Sequence, residues 1–188
     1  MARPKSSDKR NAILAAAIRV IVSQGLSAPT ATIAKEAGIS NGSLFTYFET
    51  KAELFNQLYI ELKSQMTAAA LAGFPAKAPL RKQAQHVWSH WMHWAASHPD
   101  KRRVLAHLSV SDQITPETRG SVHKLMGALI EVMGQVTARG SLKNAPMNFV
   151  GAMITSLAET TMDFMINEPA NADKHCTVGF ETFWRATA

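Results

Sequence analysis

Apolar residues recur along this chain at helical spacing, with no run of the strict alternation that a half-buried strand needs. That one feature confines the fold to packed helices. Ile13, Leu14, Ala17, Ile18, Ile21 and Val22 mark the inner face of a helix over 8–24, and Gly25 followed by Leu26 fits a left-handed C-terminal cap. A short helix is predicted over 31–37, with Thr30 as its N-cap and Gly38 as its stop. Leu54, Phe55, Leu58, Tyr59 and Leu62 then mark a longer helix beginning at Lys51. The segment LAGFPAKAPL, residues 71–80, breaks the pattern. Beyond it, helices are predicted near 80–97, 101–112, 116–138, 146–167 and 174–186, separated by His98-Pro99, Thr115-Pro116, Ala145-Pro146 and Glu168-Pro169. The fold class is all-α, with domains expected over 6–66 and 67–188.

Composition narrows the function classes. Of 188 residues, 46% are hydrophobic, enough for a packed interior. No apolar run approaches the roughly 18 residues of a membrane span, and no signal-peptide core follows Met1. Cys176 is the single cysteine, so no disulfide forms within the chain and a reducing cytoplasm is expected. The net charge of +6 permits a nucleic-acid partner without proving one. The positive charge is uneven: residues 1–65 hold eight Lys/Arg against five Asp/Glu, 66–130 eight against three, and 131–188 four against six. A surface kept away from DNA suits the last third. No nucleophile–base motif, glycine-rich phosphate loop or metal signature accompanies the acidic and histidine residues, so no catalytic residue, metal or cofactor is expected.

The stretch GISNGSLFTYFETK, residues 38–51, is a poor helix by its own propensities. It is short and carries Gly42 in its first turn, where glycine costs about 1 kcal/mol relative to alanine. Placed as a helix over 41–48, Leu44 and Phe48 fall within about 40° of each other and face inward. Ser40 suits the N-cap, and Ile39 and Leu44 occupy the two positions of a hydrophobic staple. The outward arc holds Gly42, Ser43 and Thr46, flanked by Asn41, Phe45 and Tyr47. Small and hydrogen-bonding groups there permit close approach to another surface. With the preceding short helix and its turn, this makes a helix-turn-helix, whose second helix enters the major groove. Thr50 to Glu53 is a capping box that puts Lys51 at the N-terminus of the next helix. A cation there opposes the helix dipole unless it meets a phosphate.

TATIAKEAGISNGSLFTYFETKAELF, with the long helix before it, resembles the DNA-binding domain of the tetracycline-repressor (TetR) family of bacterial regulators. The likeness is dense and ungapped over about residues 8–62: Ile33-Ala34, Ala37-Gly38, Ile39-Ser40, Gly42, Leu44, Phe45, Tyr47, Phe48, Lys51 and Leu54. It implies an N-terminal three-helix DNA-binding domain followed by a helical ligand-binding and dimerisation domain. The implied function is a ligand-responsive, sequence-specific transcriptional regulator, a repressor released from its operator by a small molecule. The implied DNA-binding set is Thr30, Ser40, Asn41, Gly42, Ser43, Phe45, Thr46, Tyr47 and Lys51. Of these, Thr30, Thr46, Tyr47 and Lys51 belong on the backbone, and Asn41, Gly42, Ser43 and Phe45 nearest the bases. Two departures stand out. Ala31 replaces an arginine that reads guanine in some members, and Phe45 replaces the usual tyrosine. The arm ARPKSSDKR offers Arg3 and Lys5 to phosphates or a minor groove, or is a solvated tail.

A homodimer on double-stranded operator DNA follows from the motif, because one half-site is rarely enough. Its expected interface is the last helices: a stripe of Val150, Ile154, Leu157 and Thr161, broadened by Phe149, Met153 and Met165, then Phe180, Phe183 and Trp184. The helix LRKQAQHVWSHWMHWAASH carries three tryptophans on one face and His86, His90 and His93 beside it. It reads as core or as the pocket of an unidentified small-molecule effector, with Trp88, His90, Trp91 and Trp94 as lining and Glu159 and Asp163 as partners for a cationic ligand. A metal site on the histidine stripe, an all-α enzyme and a sequence-indifferent DNA binder remain as alternatives.

Overall fold

A computed structural model describes residues 4–138 and 140–188, with side chains from residue 7 onward. Arg3, and the side chain of Lys5, lie outside that description. Ten helices are formed among the described residues: α1 (Pro4–Gln24), α2 (Thr30–Glu36), α3 (Asn41–Leu44), α4 (Lys51–Leu71), α5 (Leu80–Ser97), α6 (Pro99–Ser109), α7 (Pro116–Leu125), α8 (Gly127–Thr137), α9 (Met147–Asn167) and α10 (Ala172–Thr187). A 3-10 turn, Pro169–Asn171, links the last two, and the described residues contain no strand. The prolines expected to separate helices do so at His98-Pro99, Thr115-Pro116, Ala145-Pro146 and Glu168-Pro169. The single helix expected over 116–138 is two helices. Met126 leaves helical geometry at φ −85°, ψ 6°, next to Gly127, whose conformational freedom lowers the cost of the break.

The chain divides into two compact units. The first comprises residues up to Lys63 together with Asp100–Val122; the second comprises Ser64–Pro99 and His123–Ala188. A boundary at 66/67 follows chain order, whereas packing places α6 and most of α7 in the first unit.

In the first unit, Ile13, Ala17, Ile21, Ile33, Leu44, Leu54, Leu58 and Leu62 are buried, as the helical spacing predicts. The 111–115 turn is held to α4 by a buried amide. Asn56 Nδ2 donates to the carbonyls of Ala52 and Gln113, both at 2.7 Å, and its Oδ1 accepts from the Thr115 amide at 3.0 Å. Asn56→Ala leaves two of these backbone groups without their partner. It is expected to lower unfolding free energy by about 2 kcal/mol, measurable by urea denaturation.

The second unit packs α5, α8, α9 and α10 on one another. Trp88 lies at its centre, 2% exposed. Its indole N–H donates to the Cys176 carbonyl at 3.1 Å, and its ring stacks on Phe183 at 5.4 Å between centroids. Val150, Ile154, Thr161, Met165, Phe180 and Phe183, expected at a dimer interface, are buried in this unit. The same periodicity serves a core or an interface, and here the neighbouring helices take it. Exposed large apolar side chains on α9 are instead Met147 and, on an arc flanking Val150 and Ile154, Phe149, Met153 and Phe164. By length and composition alone, α9 is also apolar enough to cross a membrane, which the sequence reading did not expect. Its Val150, Ile154, Ala158, Met162 and Met165 are buried within the unit.

Candidate nucleic-acid interface and effector cavity

The helix-turn-helix is built by two helix-end devices. At the end of α2, the Ile39 amide donates to Ala34 O at 3.0 Å and the Gly38 amide to Lys35 O at 3.1 Å. Gly38 sits at φ 70°, the left-handed position this double-bonded cap requires. The chain then enters α3 through Ser40, whose Oγ accepts from the Ser43 amide at 3.1 Å and lies 2.9 Å from Ser43 Oγ. The start of α2 differs from expectation. Pro29 is its N-cap, without a side-chain cap, and Thr30 is its first helical residue, half-buried.

α3 is a single turn rather than a helix over 41–48. Thr46 Oγ1 donates to Ser43 O at 2.7 Å, sharing the carbonyl that the Tyr47 amide would use in a continuing α-helix. The Tyr47 amide donates to Leu44 O instead, and the Thr46 amide to Ser43 O, so the chain tightens into 3-10-type turns. The inward and outward faces survive this change. Leu44 and Phe48 are buried, and the Arg10 guanidinium lies 5.7 Å from the Phe48 ring centroid. Asn41, Gly42 and Thr46 are exposed, as is Phe45 at 40%, while Ser43 and Tyr47 are half-buried. Gly42 has an ordinary backbone, and a Cβ on it would meet only Ser40 Oγ, at 4.0 Å. Among the described residues nothing would crowd a Cβ there.

Lys51 opens α4 beside this face. The Glu53 amide donates to Thr50 Oγ1 at 3.0 Å, as in the expected capping box, but Glu53 Oε2 reaches one residue further back, to the Glu49 amide at 2.6 Å. The Lys51 ammonium lies 5.4 Å from the Phe55 ring centroid, and partial burial pushes its pKa down. A bound anion would oppose that shift.

The second unit encloses a cavity of about 480 Å³ between α4, α5, α8 and α9. Ala84, Val87, Leu129, Val132, Val150 and Ile154 form much of its wall, with methionines 66, 126, 133 and 147. Trp88 and Trp91 line it, as expected. His90, Trp94, Glu159 and Asp163 do not. Trp94 is buried and stacks on His98, Asp163 is exposed, and Glu159 is half-buried one turn beyond Thr155, past the stretch of α9 that lines the cavity. The histidine stripe does not converge. His86 and His90 stack at 3.8 Å, and burial followed by the neighbouring His90 lowers the His86 pKa. His93 turns to Asp173, 2.9 Å away, which raises its pKa. Among the described residues no group of three potential metal ligands comes together. Sequence reasoning missed the methionines and α8. Their only signal is apolar spacing, which does not tell a cavity wall from a filled core.

An all-helical chain with a helix-turn-helix, bared on its outer side and joined to a second helical unit with a cavity, defines a DNA-binding transcription regulator. Residues 13–58 match the family described as bacterial regulatory proteins, tetR family. Those residues carry the tetR-family domain, within the helix-turn-helix unit. It is similar to a TetR-family transcription regulator from Shewanella sp. PV-4, at 28% identity over 96% of this chain and 98% of that one, with a TM-score of 0.85. A regulator from Marinobacter aquaeolei VT8 is similar at 23% identity over 99% and 98%, also with a TM-score of 0.85. FadR from Bacillus subtilis, solved in complex with stearoyl-CoA, shares the fold at 18% identity over 90% and 96%, with a TM-score of 0.66.

Proposed function

We propose that this regulator represses transcription by binding operator DNA as a homodimer and is released by a small molecule held in the cavity of its second unit. The observation that carries the reading is the outer face of the helix-turn-helix. Gly42 lies exposed between Asn41, Phe45 and Thr46, with nothing among the described residues to crowd a Cβ. Asn41 and Phe45 are assigned to base edges, Gly42 to close approach, and Thr30, Thr46, Tyr47 and Lys51 to phosphates. The Ser40 and Ser43 hydroxyls bond to each other, so Ser43 reads a base only by sharing its hydroxyl. The exposed α9 face of Phe149, Met153 and Phe164 supports pairing of two copies. Residues 6–66 carry the DNA-binding role, residues 67–188 the effector and dimer roles, and the protein works in the cytoplasm. The stearoyl-CoA complex of FadR supports reading the cavity as an effector site.

Competition binding tests the claim. The protein should hold duplex from upstream of its own coding sequence at least tenfold tighter than random duplex at equal salt. Equal affinity would identify a sequence-indifferent binder. Lys51→Ala should weaken every sequence alike and lower the slope of log affinity against log salt by about one. An unchanged slope would remove Lys51 from the phosphate contacts.

A further inference from the structure

From the walls of the effector cavity we infer that the molecule it takes is uncharged and mostly aliphatic, with a single oxygen-bearing end held by the solvent-facing polar residues. The inference rests on the cavity being the effector site and specifies its ligand. The buried part of the wall is hydrocarbon, indole and thioether. Among the described residues no Asp, Glu, Lys or Arg lines it; His123 is the one ionisable side chain there, and it is exposed. A formal charge on the enclosed part of a ligand would lose its water with no counter-charge to replace it. A cationic ligand paired to Glu159 and Asp163 is therefore not what this cavity holds.

The polar side chains of the lining are its solvent-facing ones. His123, Asn148 and Thr155 line the cavity and are all exposed, as are Met147 and Gly151 beside them. Asn148 Oδ1 accepts from the Phe149 amide at 2.9 Å, which leaves its NH2 group to donate outward. Thr155 Oγ1 spends its proton on Gly151 O at 2.8 Å and keeps lone pairs to accept. Such a lining matches a hydroxyl, or a carbonyl oxygen facing the Asn148 amide. The less exposed Met66, Met126 and Met133 supply flexible, polarisable side chains that close around chains of varied shape. A rigid, polar-studded ligand would leave its hydrogen-bonding groups unmet there.

Three ligands with one chain length separate the possibilities: 1-decanol, decanoate and decyltrimethylammonium, each titrated calorimetrically into the full-length protein below its micelle concentration. The expected result is that 1-decanol binds at least tenfold tighter than either ion. A charged homologue within tenfold of it, or no binding by 1-decanol, overturns the assignment. Gly151→Leu locates the site, because a Cβ on Gly151 meets nothing within 4 Å. That variant should keep its unfolding midpoint and lose 1-decanol affinity by tenfold or more; undiminished affinity places the ligand elsewhere and overturns the proposal. The two readings fail separately. A cell-extract molecule that releases the operator complex, while 1-decanol does not bind, overturns the ligand class and spares release by an effector. Binding of 1-decanol that is lost in Gly151→Leu, with no molecule releasing the operator, upholds the ligand class and sinks the release mechanism.

Discussion

Gly42→Leu is expected to weaken operator binding by about 100-fold, or roughly 2.7 kcal/mol, without destabilising the protein. The two halves of this result have separate causes. Inside the molecule, a Cβ at Gly42 reaches only Ser40 Oγ, at 4.0 Å, and the backbone is already right-handed. The Cβ of a leucine there clashes with nothing described, and the substitution removes a helix-propensity cost of about 1 kcal/mol. Outside the molecule, residue 42 faces whatever α3 docks against, with exposed Asn41, Phe45 and Thr46 around it. An isobutyl group at that point holds the turn away from a groove floor, so neighbouring contacts are lost together. Fluorescence anisotropy with labelled operator and a thermal melt on the same preparation check both halves. Undiminished operator affinity would mean that this face is not the reading face.

Gly179→Leu has the opposite signature: a loss of about 3 kcal/mol in the stability of the second unit, read in chemical denaturation. Gly179 is a buried position on α10 where a Cβ would overlap the Thr161 side chain and crowd the Trp88 ring. Thr161 has little room to yield, since its hydroxyl is bonded to Leu157 O at 2.8 Å. Trp88 is held by its bond to the Cys176 carbonyl and its stacking on Phe183. The two glycines thus differ in kind, one open to solvent and one closed in by the protein's own neighbours. Denaturation of Gly179→Leu within about 1 kcal/mol of the parent would show that α9 and α10 separate more easily than their packing implies.

Residues 38–51 show where sequence reasoning reaches. The inward pair Leu44 and Phe48, the Ser40 cap, the Gly38 stop and the Thr50 cap depend on neighbours within a few positions, and all are found as expected. The length of α3 is not. A local hydroxyl, Thr46 on Ser43 O, decides against a second turn, and propensity carries no strong sign of that competition. For the tryptophan helix, sequence identifies a wide apolar face but not what each part meets. Trp88 is both core and cavity wall, Trp91 lines the cavity, and Trp94 packs away from it against His98.

What the sequence determined by itself was the all-helical class, the helix ends at glycine and proline, and the two-faced turn that identifies the DNA-binding motif. Each follows from interactions spanning about one helical turn, which leave a periodic trace in the residue order. Only the tertiary structure decided that 100–122 joins the first unit, where Asn56 bonds to it, that Val150 and Ile154 are core while Phe149, Met153 and Phe164 stay exposed, and that methionines wall a cavity whose polar lining residues are solvent-exposed. These depend on which apolar face meets which across long stretches of chain. One periodicity is compatible with a core, an interface or a cavity, and the choice is made by shape and the volume left between helices.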